Sequence, residues 1–268
     1  MYEIIFSDYD GTLYGKSRKI SDKTKEKINE FVSQGGKFVI STGRIYESIK
    51  PICLDLKLDG DCISSQGSQI YNIKDNLAIK TDLLDVNKTV EILKLIKDRG
   101  FLSQVYASNK IYADTDIPFN SFFSNFFGVN INNTDKLIDM VESKTIAPNK
   151  FECLVDEDKI NDFIKELKER FPDFLFSKSA PVMIEIADKN ATKGKSVEYL
   201  LKKYNIKKEN AVAIGDGNND IDMLEAVGKK VAVNNAAKKL LAKADYITKD
   251  TNGDGVAEII DLILDGKF

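Results

Sequence analysis

Four short runs hold residues whose types and spacing could do chemistry. In Asp8-Tyr9-Asp10-Gly11-Thr12-Leu13, two carboxylates stand two residues apart, directly after the apolar run 3–7. Gly11 permits a tight turn, so both acids can face one small volume. Two acids that close repel each other and so invite a proton or a cation. An Asp-x-Asp pair alone is also a common turn; the full run after a β-rich segment sets this one apart. In Ser41-Thr42-Gly43-Arg44, a hydroxyl and free backbone N–H groups at a helix start can hold phosphate oxygens, although the same residues also serve as a plain N-cap. Lys193, in Thr192-Lys193-Gly194-Lys195, could neutralise both a carboxylate and a phosphate as a compact charge; taken alone it is a surface lysine. Gly215-Asp216-Gly217-Asn218-Asn219-Asp220 is an oxygen-rich loop of the kind that suits a hard cation such as Mg²⁺. Its acids are wrongly spaced for a calcium EF-hand, and on its own it reads as a polar turn.

Each run follows a strand or opens a helix. Residues 3–7 read as a strand ending at Asp8. Residues 22–34 read as a helix with Ser21 as N-cap, Ile28, Phe31 and Val32 on one face, and Gly35-Gly36 as its stop. Residues 37–42 read as a second strand. The rhythm returns late, with a helix over 193–204, a buried strand over 210–214, a short helix over 219–226, a strand over 230–233 and a closing helix near 255–264. Alternating strands and helices predict a parallel sheet, and sites in such sheets form beyond the carboxyl ends of the strands. All four runs fall at that edge.

The middle of the chain reads differently. A helix over 87–98 is followed by strands near 101–106 and 109–113, a strand near 150–155, a helix near 158–170 and strands near 173–177 and 182–187. Short connections between neighbouring strands predict an antiparallel sheet carrying helices. The expected organisation is therefore a doubly wound α/β (Rossmann-like) core over 1–82 and 189–268, interrupted by an inserted α+β domain over 83–188. Phe119, Phe122, Phe123, Phe126 and Phe127 have helical spacing and read as core of that inserted domain.

Composition removes several kinds of chemistry. The 268 residues include no histidine, which excludes Ser-His-Asp catalysis, His-ligated zinc and histidine acid–base work. Carboxylates, hydroxyls, lysines and a hard metal ion remain. The formal net charge of −3, with 39 basic and 42 acidic side chains, offers no electrostatic footprint for nucleic acid or an anionic membrane. No uninterrupted apolar stretch is long enough to span a bilayer, and the first residues lack the pattern of a signal peptide. Cys53, Cys62 and Cys153 are odd in number and have no metal-ligand spacing, as expected of reduced thiols in a cytoplasmic protein.

Taken in order, the four runs resemble the motifs of the haloacid dehalogenase-like phosphatases, the Cof-type subfamily in particular. The resemblance extends through Ala211 to Leu224 and to Ala244-Asp245-Tyr246 and Asp254-Gly255-Val256-Ala257. It implies this family's α/β core with an inserted cap after the second motif. It further implies a Mg²⁺-dependent phosphatase in which Asp8 is the nucleophile and Asp10 the general acid/base. Thr42 and the Gly43 backbone would anchor phosphate, and Lys193 would pair with Asp8 and the phosphate. Asp216 would bind magnesium beside Asp8 and the Asp10 carbonyl. Asn219 would touch the phosphate or support the metal, and Asp220 would hold Lys193 or metal-bound water. Arg44 receives no role. Val231-Ala232-Val233-Asn234-Asn235 departs from the Met-Gly-Asn more usual in the family, and little effect on chemistry is expected. The implied partner is a small phosphorylated metabolite such as a sugar phosphate, with no nucleic acid, no membrane and no obligate protein partner. A phosphomutase of the phosphomannomutase kind shares this core. A receiver-like module uses similar groups, but with adjacent acids on the first strand and no inserted domain.

Overall fold

The computed structural model describes residues 2–15, 19–114, 120, 124 and 128–268. The chain divides into two compact units. One comprises Met1–Gly43, Ile49–Lys80 and Thr192–Phe268, the other Arg44–Ser48 and Thr81–Ala191.

The first unit is built on an eight-stranded sheet. Its strands are β1 (Ile4–Asp8), β2 (Lys37–Ser41), β3 (Asp61–Ser64), β4 (Gln69–Asn72), β5 (Leu77–Thr81), β12 (Ala211–Gly215), β13 (Lys229–Ala232) and β14 (Tyr246–Ile247), in the order β14-β13-β12-β1-β2-β3-β4-β5. From β14 to β3 the strands are parallel, and β4 returns antiparallel to β3. β1 is buried on both faces, which is why its sequence is an apolar run rather than an alternation. Ile4 and Phe6 pack with Val197, Leu200 and Ala213 in one cluster. The strand order reverses between β1 and β12. In a doubly wound sheet that reversal opens a crevice at the carboxyl ends of the two strands, and Asp8 and Asp216 stand there.

Helices follow the sequence signals closely. Helix α1 (Asp22–Ser33) starts at Ser21, whose Oγ accepts the Thr24 N–H at 3.2 Å. α2 spans Tyr46–Asp55. The lysine helix, numbered α6 below, spans Lys193–Tyr204 and is capped by Thr192 Oγ1, which accepts from Lys195 N at 3.3 Å. The predicted helix over 219–226 is a 3₁₀ turn at Asn218–Asp220 running into α7 (Ile221–Glu225). α8 (Lys238–Leu241) and α9 (Asn252–Leu264) complete the unit.

The second unit carries a six-stranded sheet in the order β10-β11-β9-β6-β7-β8. Its strands are β6 (Leu102–Ala107), β7 (Lys110–Asp114), β8 (Ile131–Thr134), β9 (Pro148–Leu154), β10 (Phe174–Ala180) and β11 (Met183–Asp188). Neighbouring strands pair antiparallel except β7 with β8, which are parallel. Helices α3 (Val86–Asp98), α4 (Leu137–Glu142) and α5 (Ile160–Arg170) pack on one face through Leu93, Ile96, Val141, Phe163 and Leu167, against Val105, Phe151, Ile184 and Ile186. This is the α+β unit read from the sequence. The expected phenylalanine cluster at 119–127 lies outside the described residues. Among the described residues no helix is long and apolar enough to cross a membrane.

Candidate active site

Asp8, Asp10, Thr42, Gly43, Lys193, Asp216, Asn219 and Asp220 all belong to the first unit, whereas Arg44, the last residue of the second run, falls in the second. Asp8 ends β1 and pairs in register with Ser41 of β2. The chain then turns sharply, with Gly11 N donating to Tyr14 O at 2.8 Å and Tyr14 N to Tyr9 O at 2.7 Å. The buried Tyr9 ring stacks on Tyr14 at 5.0 Å and fixes the turn. Gly11 has φ 90°, and a Cβ there would lie 2.3 Å from Asp216 Oδ2. The motif therefore requires glycine on two counts, backbone conformation and close approach. Gly11→Ala is expected to lower Tm by several degrees, because a left-handed alanine and a displaced Asp216 each cost about 1–3 kcal/mol. Differential scanning calorimetry checks this, and an unchanged Tm would mean that the turn can rearrange.

Lys193 is the centre of the arrangement. At the first position of α6 it is 1% exposed. Its Nζ donates to Asp8 Oδ1 at 2.6 Å and to Asp220 Oδ1 at 2.7 Å. The other oxygen of Asp220 accepts the Asp216 and Gly217 N–H groups at 3.1 and 2.9 Å. Asp220 thus ties the lysine to the loop that carries Asp216. Thr12 Oγ1 donates to Asp216 Oδ1 at 2.9 Å, and Asp222 Oδ2 accepts from Gly194 N at 2.9 Å, holding the start of α6 beside α7.

Carboxylate oxygens of Asp8, Asp216 and Asp220 lie within 4.8 Å of one another. Burial, and next the Asp220 charge, push the Asp8 carboxyl well above the usual carboxylate range, against the pull of Lys193. Burial also raises Asp216, with the Thr12 hydrogen bond opposing it. Burial by itself would lower Lys193, but the charges of Asp220 and Asp8 outweigh it and hold the ammonium protonated. Three acids facing one ammonium, two of them buried and Asp216 partly so, leave an excess of negative charge. The donors are all hard oxygens, so the set fits a divalent ion such as Mg²⁺. Asp10 does not enter this carboxylate cluster, and its side chain is exposed on the turn.

The residues of the second run follow β2, whose Ser41 pairs in register with Asp8. Thr42 is buried; its N–H donates to Ile63 O at 3.0 Å and its carbonyl accepts from Gln66 N at 3.0 Å. Gly43 adjoins the Gln66 side chain, and Asn219 Nδ2 donates to Gln66 Oε1 at 3.3 Å. Three contributors escaped the sequence reading. Thr12 lay inside the first run, where its hydroxyl spaced four positions from Asp8 was the available signal. Gln66 lies in no motif. Asn235, in the segment expected to matter little, donates Nδ2 to Gly11 O at 2.8 Å and accepts from Asn252 N at 3.0 Å. It links the Asp10–Gly11 turn to the start of α9.

The buried aspartate–lysine–aspartate group thus sits at the switch point of a doubly wound sheet, where open α/β sheets form their sites. The family profile for haloacid dehalogenase-like hydrolases matches residues 5–260, and the chain belongs to that family. A Haemophilus influenzae protein provisionally named a phosphatase is 29% identical over 271 residues, covering 100% of this chain and 99% of its own. The 5-amino-6-(5-phospho-D-ribitylamino)uracil phosphatase YcsE of Bacillus subtilis is 28% identical, covering 96% of this chain and 94% of its own. A crystal structure of a haloacid dehalogenase-like hydrolase from Bacteroides thetaiotaomicron superposes with TM-score 0.87 at 26% identity, covering 98% of this chain and 100% of that one. The chain is thus an enzyme of the hydrolase class, with relatives named as phosphatases.

Proposed function

We propose that the protein is a Mg²⁺-dependent cytoplasmic phosphatase that hydrolyses small phosphate monoesters, sugar phosphates foremost, through a phosphoryl-aspartate on Asp8. The observation that carries this reading is the buried Lys193 held between Asp8 and Asp220 at 2.6 and 2.7 Å. The ammonium engages one oxygen of Asp8 and leaves Oδ2 as the attacking atom. It also supplies fixed positive charge where a phosphate dianion must approach an anion.

Asp8 Oδ2 attacks phosphorus, the ester P–O bond breaks, and Asp10 gives its proton to the leaving oxygen. A water then attacks the phosphorus of the acyl phosphate while Asp10 takes its proton back, and inorganic phosphate leaves with Asp8 regenerated. This double duty is what two-step covalent catalysis demands of one acid/base. Asp10 is exposed on its turn, as a group exchanging protons with a leaving alcohol and with water must be. The Thr42 hydroxyl, the Gly43 N–H, Asn219 and Lys193 hold the equatorial oxygens. Asp220 orients Lys193. Asp8, Asp216 and the Asp10 carbonyl would hold Mg²⁺, which when bound offsets the repulsion between a dianionic ester and a carboxylate.

The substrate class follows the relative named for a phosphorylated ribityl compound, a primary phosphate on a polyol chain. Residues 83–188 are the cap of this reading and carry substrate selection, while 1–82 and 189–268 are the catalytic core. The free thiols Cys53, Cys62 and Cys153 are all buried, consistent with a reducing compartment.

The test is phosphate release from a panel of sugar phosphates and an aryl phosphate, with Mg²⁺ and with chelator. Release that requires Mg²⁺ is expected. Release unaffected by chelator would remove the metal from the reading, and no release from any ester would remove the phosphatase.

A further inference from the structure

The turn between β3 and β4 holds a conformation that side chains disfavour. Ser65, Gln66 and Gly67 follow one another at φ 49°, 61° and 99°, all in the left-handed region. Gly67 has a clear reason to be there. A Cβ at that position would lie 2.2 Å from the Thr192 carbonyl carbon and 2.6 Å from Lys193 N, so the turn seats directly against the start of α6. Ser196 Oγ donates to Gly67 O at 2.6 Å, and Gln66 N donates to Thr42 O at 3.0 Å. The backbone at Gln66 is therefore fastened between the Thr42–Gly43 loop and the lysine helix. Glycine at position 66 would adopt the same conformation more easily, yet the chain carries a long polar side chain there.

That side chain reaches both neighbouring motif loops. Gln66 Oε1 accepts from Asn219 Nδ2 at 3.3 Å, and the Gln66 amide lies 3.5 Å from where a Cβ on Gly43 would stand. Asn219 in turn lays its Oδ1 over Gly217. The amide thus bonds the fourth run and lies beside the second, while the Gln66 backbone N–H bonds Thr42 O of the second. With Oε1 engaged by Asn219, Nε2 remains as a donor.

We propose that Gln66 is a phosphate-site residue: Oε1 sets the orientation of the Asn219 amide, and Nε2 adds a donor for the phosphoryl oxygens bound by Thr42, Gly43 and Asn219. This deepens the phosphatase reading and rests on it.

Gln66→Gly keeps the turn and removes only the amide, and Gln66→Glu keeps the reach but replaces a donor with negative charge. Inorganic phosphate is titrated calorimetrically in the presence of Mg²⁺, with Tm measured alongside. Gln66→Gly is expected to weaken phosphate binding about 10-fold, the scale of one hydrogen bond to a charged group, with Tm at or above wild type. Gln66→Glu is expected to weaken it further. Unchanged affinity in both variants overturns the proposal, as does a loss in Gln66→Gly that comes only with a lower Tm, which would make the residue structural. A wild type that binds phosphate but hydrolyses no ester removes the phosphatase reading and leaves this readout intact; a wild type that binds no phosphate overturns the proposal itself.

Discussion

Asp8→Asn is expected to abolish phosphate release, by at least about 10⁴-fold, while the protein stays folded. The amide has nearly the shape of the carboxylate but no anionic oxygen with which to attack phosphorus, so the first step is lost rather than slowed. The fold should survive because Lys193 keeps Asp220 at 2.7 Å and is not left as an unpaired buried charge. Stability should hold level or rise. The Asp8 charge is disfavoured in the native state by burial and by Asp220, and a neutral side chain removes both penalties. Phosphate release on the best ester of the panel, together with a melting curve, reads both outcomes. Turnover within about 100-fold of wild type would strip Asp8 of the nucleophile's role, and a collapsed Tm would mean that the lysine depends on both acids.

Much of this arrangement was legible in the sequence because its residues sit where backbone pattern and chemistry agree. Ile4 to Phe6 and Ala211 to Ile214 are unbroken apolar runs, each followed one small residue later by an acid, and that is what buried parallel strands leading to a polar edge look like. The β3–β4–β5 region was not legible, because its strands bury polar groups. Asp61 is an acid inside a strand and only 1% exposed. It is satisfied from afar, by Asn72 Nδ2 at 3.0 Å and Tyr204 OH at 2.7 Å, the second partner lying 143 positions away. β8 was missed for a related reason. Ile131-Asn132-Asn133-Thr134 has no alternation, and its pairing with β7 supplies the strand. At the site, the four runs named the acids and the lysine but not their wiring. Gln66 and Asn235 act through a single side-chain amide each, and a lone amide has no spacing to betray it. The bond from Asn235 to Gly11 O is likewise one that only the folded turn creates.

Lys193→Met keeps the apolar stem and removes the charge, and unlike Asp8→Asn it should damage stability as well as turnover. Breaking a buried ion pair on one side leaves uncompensated charge and costs about 3–5 kcal/mol, roughly a 10 °C fall in Tm for a chain of this size. Here two carboxylates lose their common partner, for Asp8 and Asp220 both accept from Lys193 Nζ. The pH dependence follows from the direction of the Asp8 shift. Its carboxyl already sits above its ordinary value in the folded protein, with Lys193 among the influences that lower it, so removing the lysine raises it further. A group raised on folding binds its proton more tightly in the native state. Its stabilising effect is complete below the unfolded value and is lost as pH rises through the folded one. The stability deficit of Lys193→Met should therefore grow from pH 5 to pH 8, and added Mg²⁺ should recover part of it at the higher pH by binding the freed carboxylates. Melting curves at both pH values, with and without the metal, decide it. Equal deficits at the two pH values would mean that the lysine's contribution is packing of its stem, and that its charge does not offset the repulsion between the acids around it.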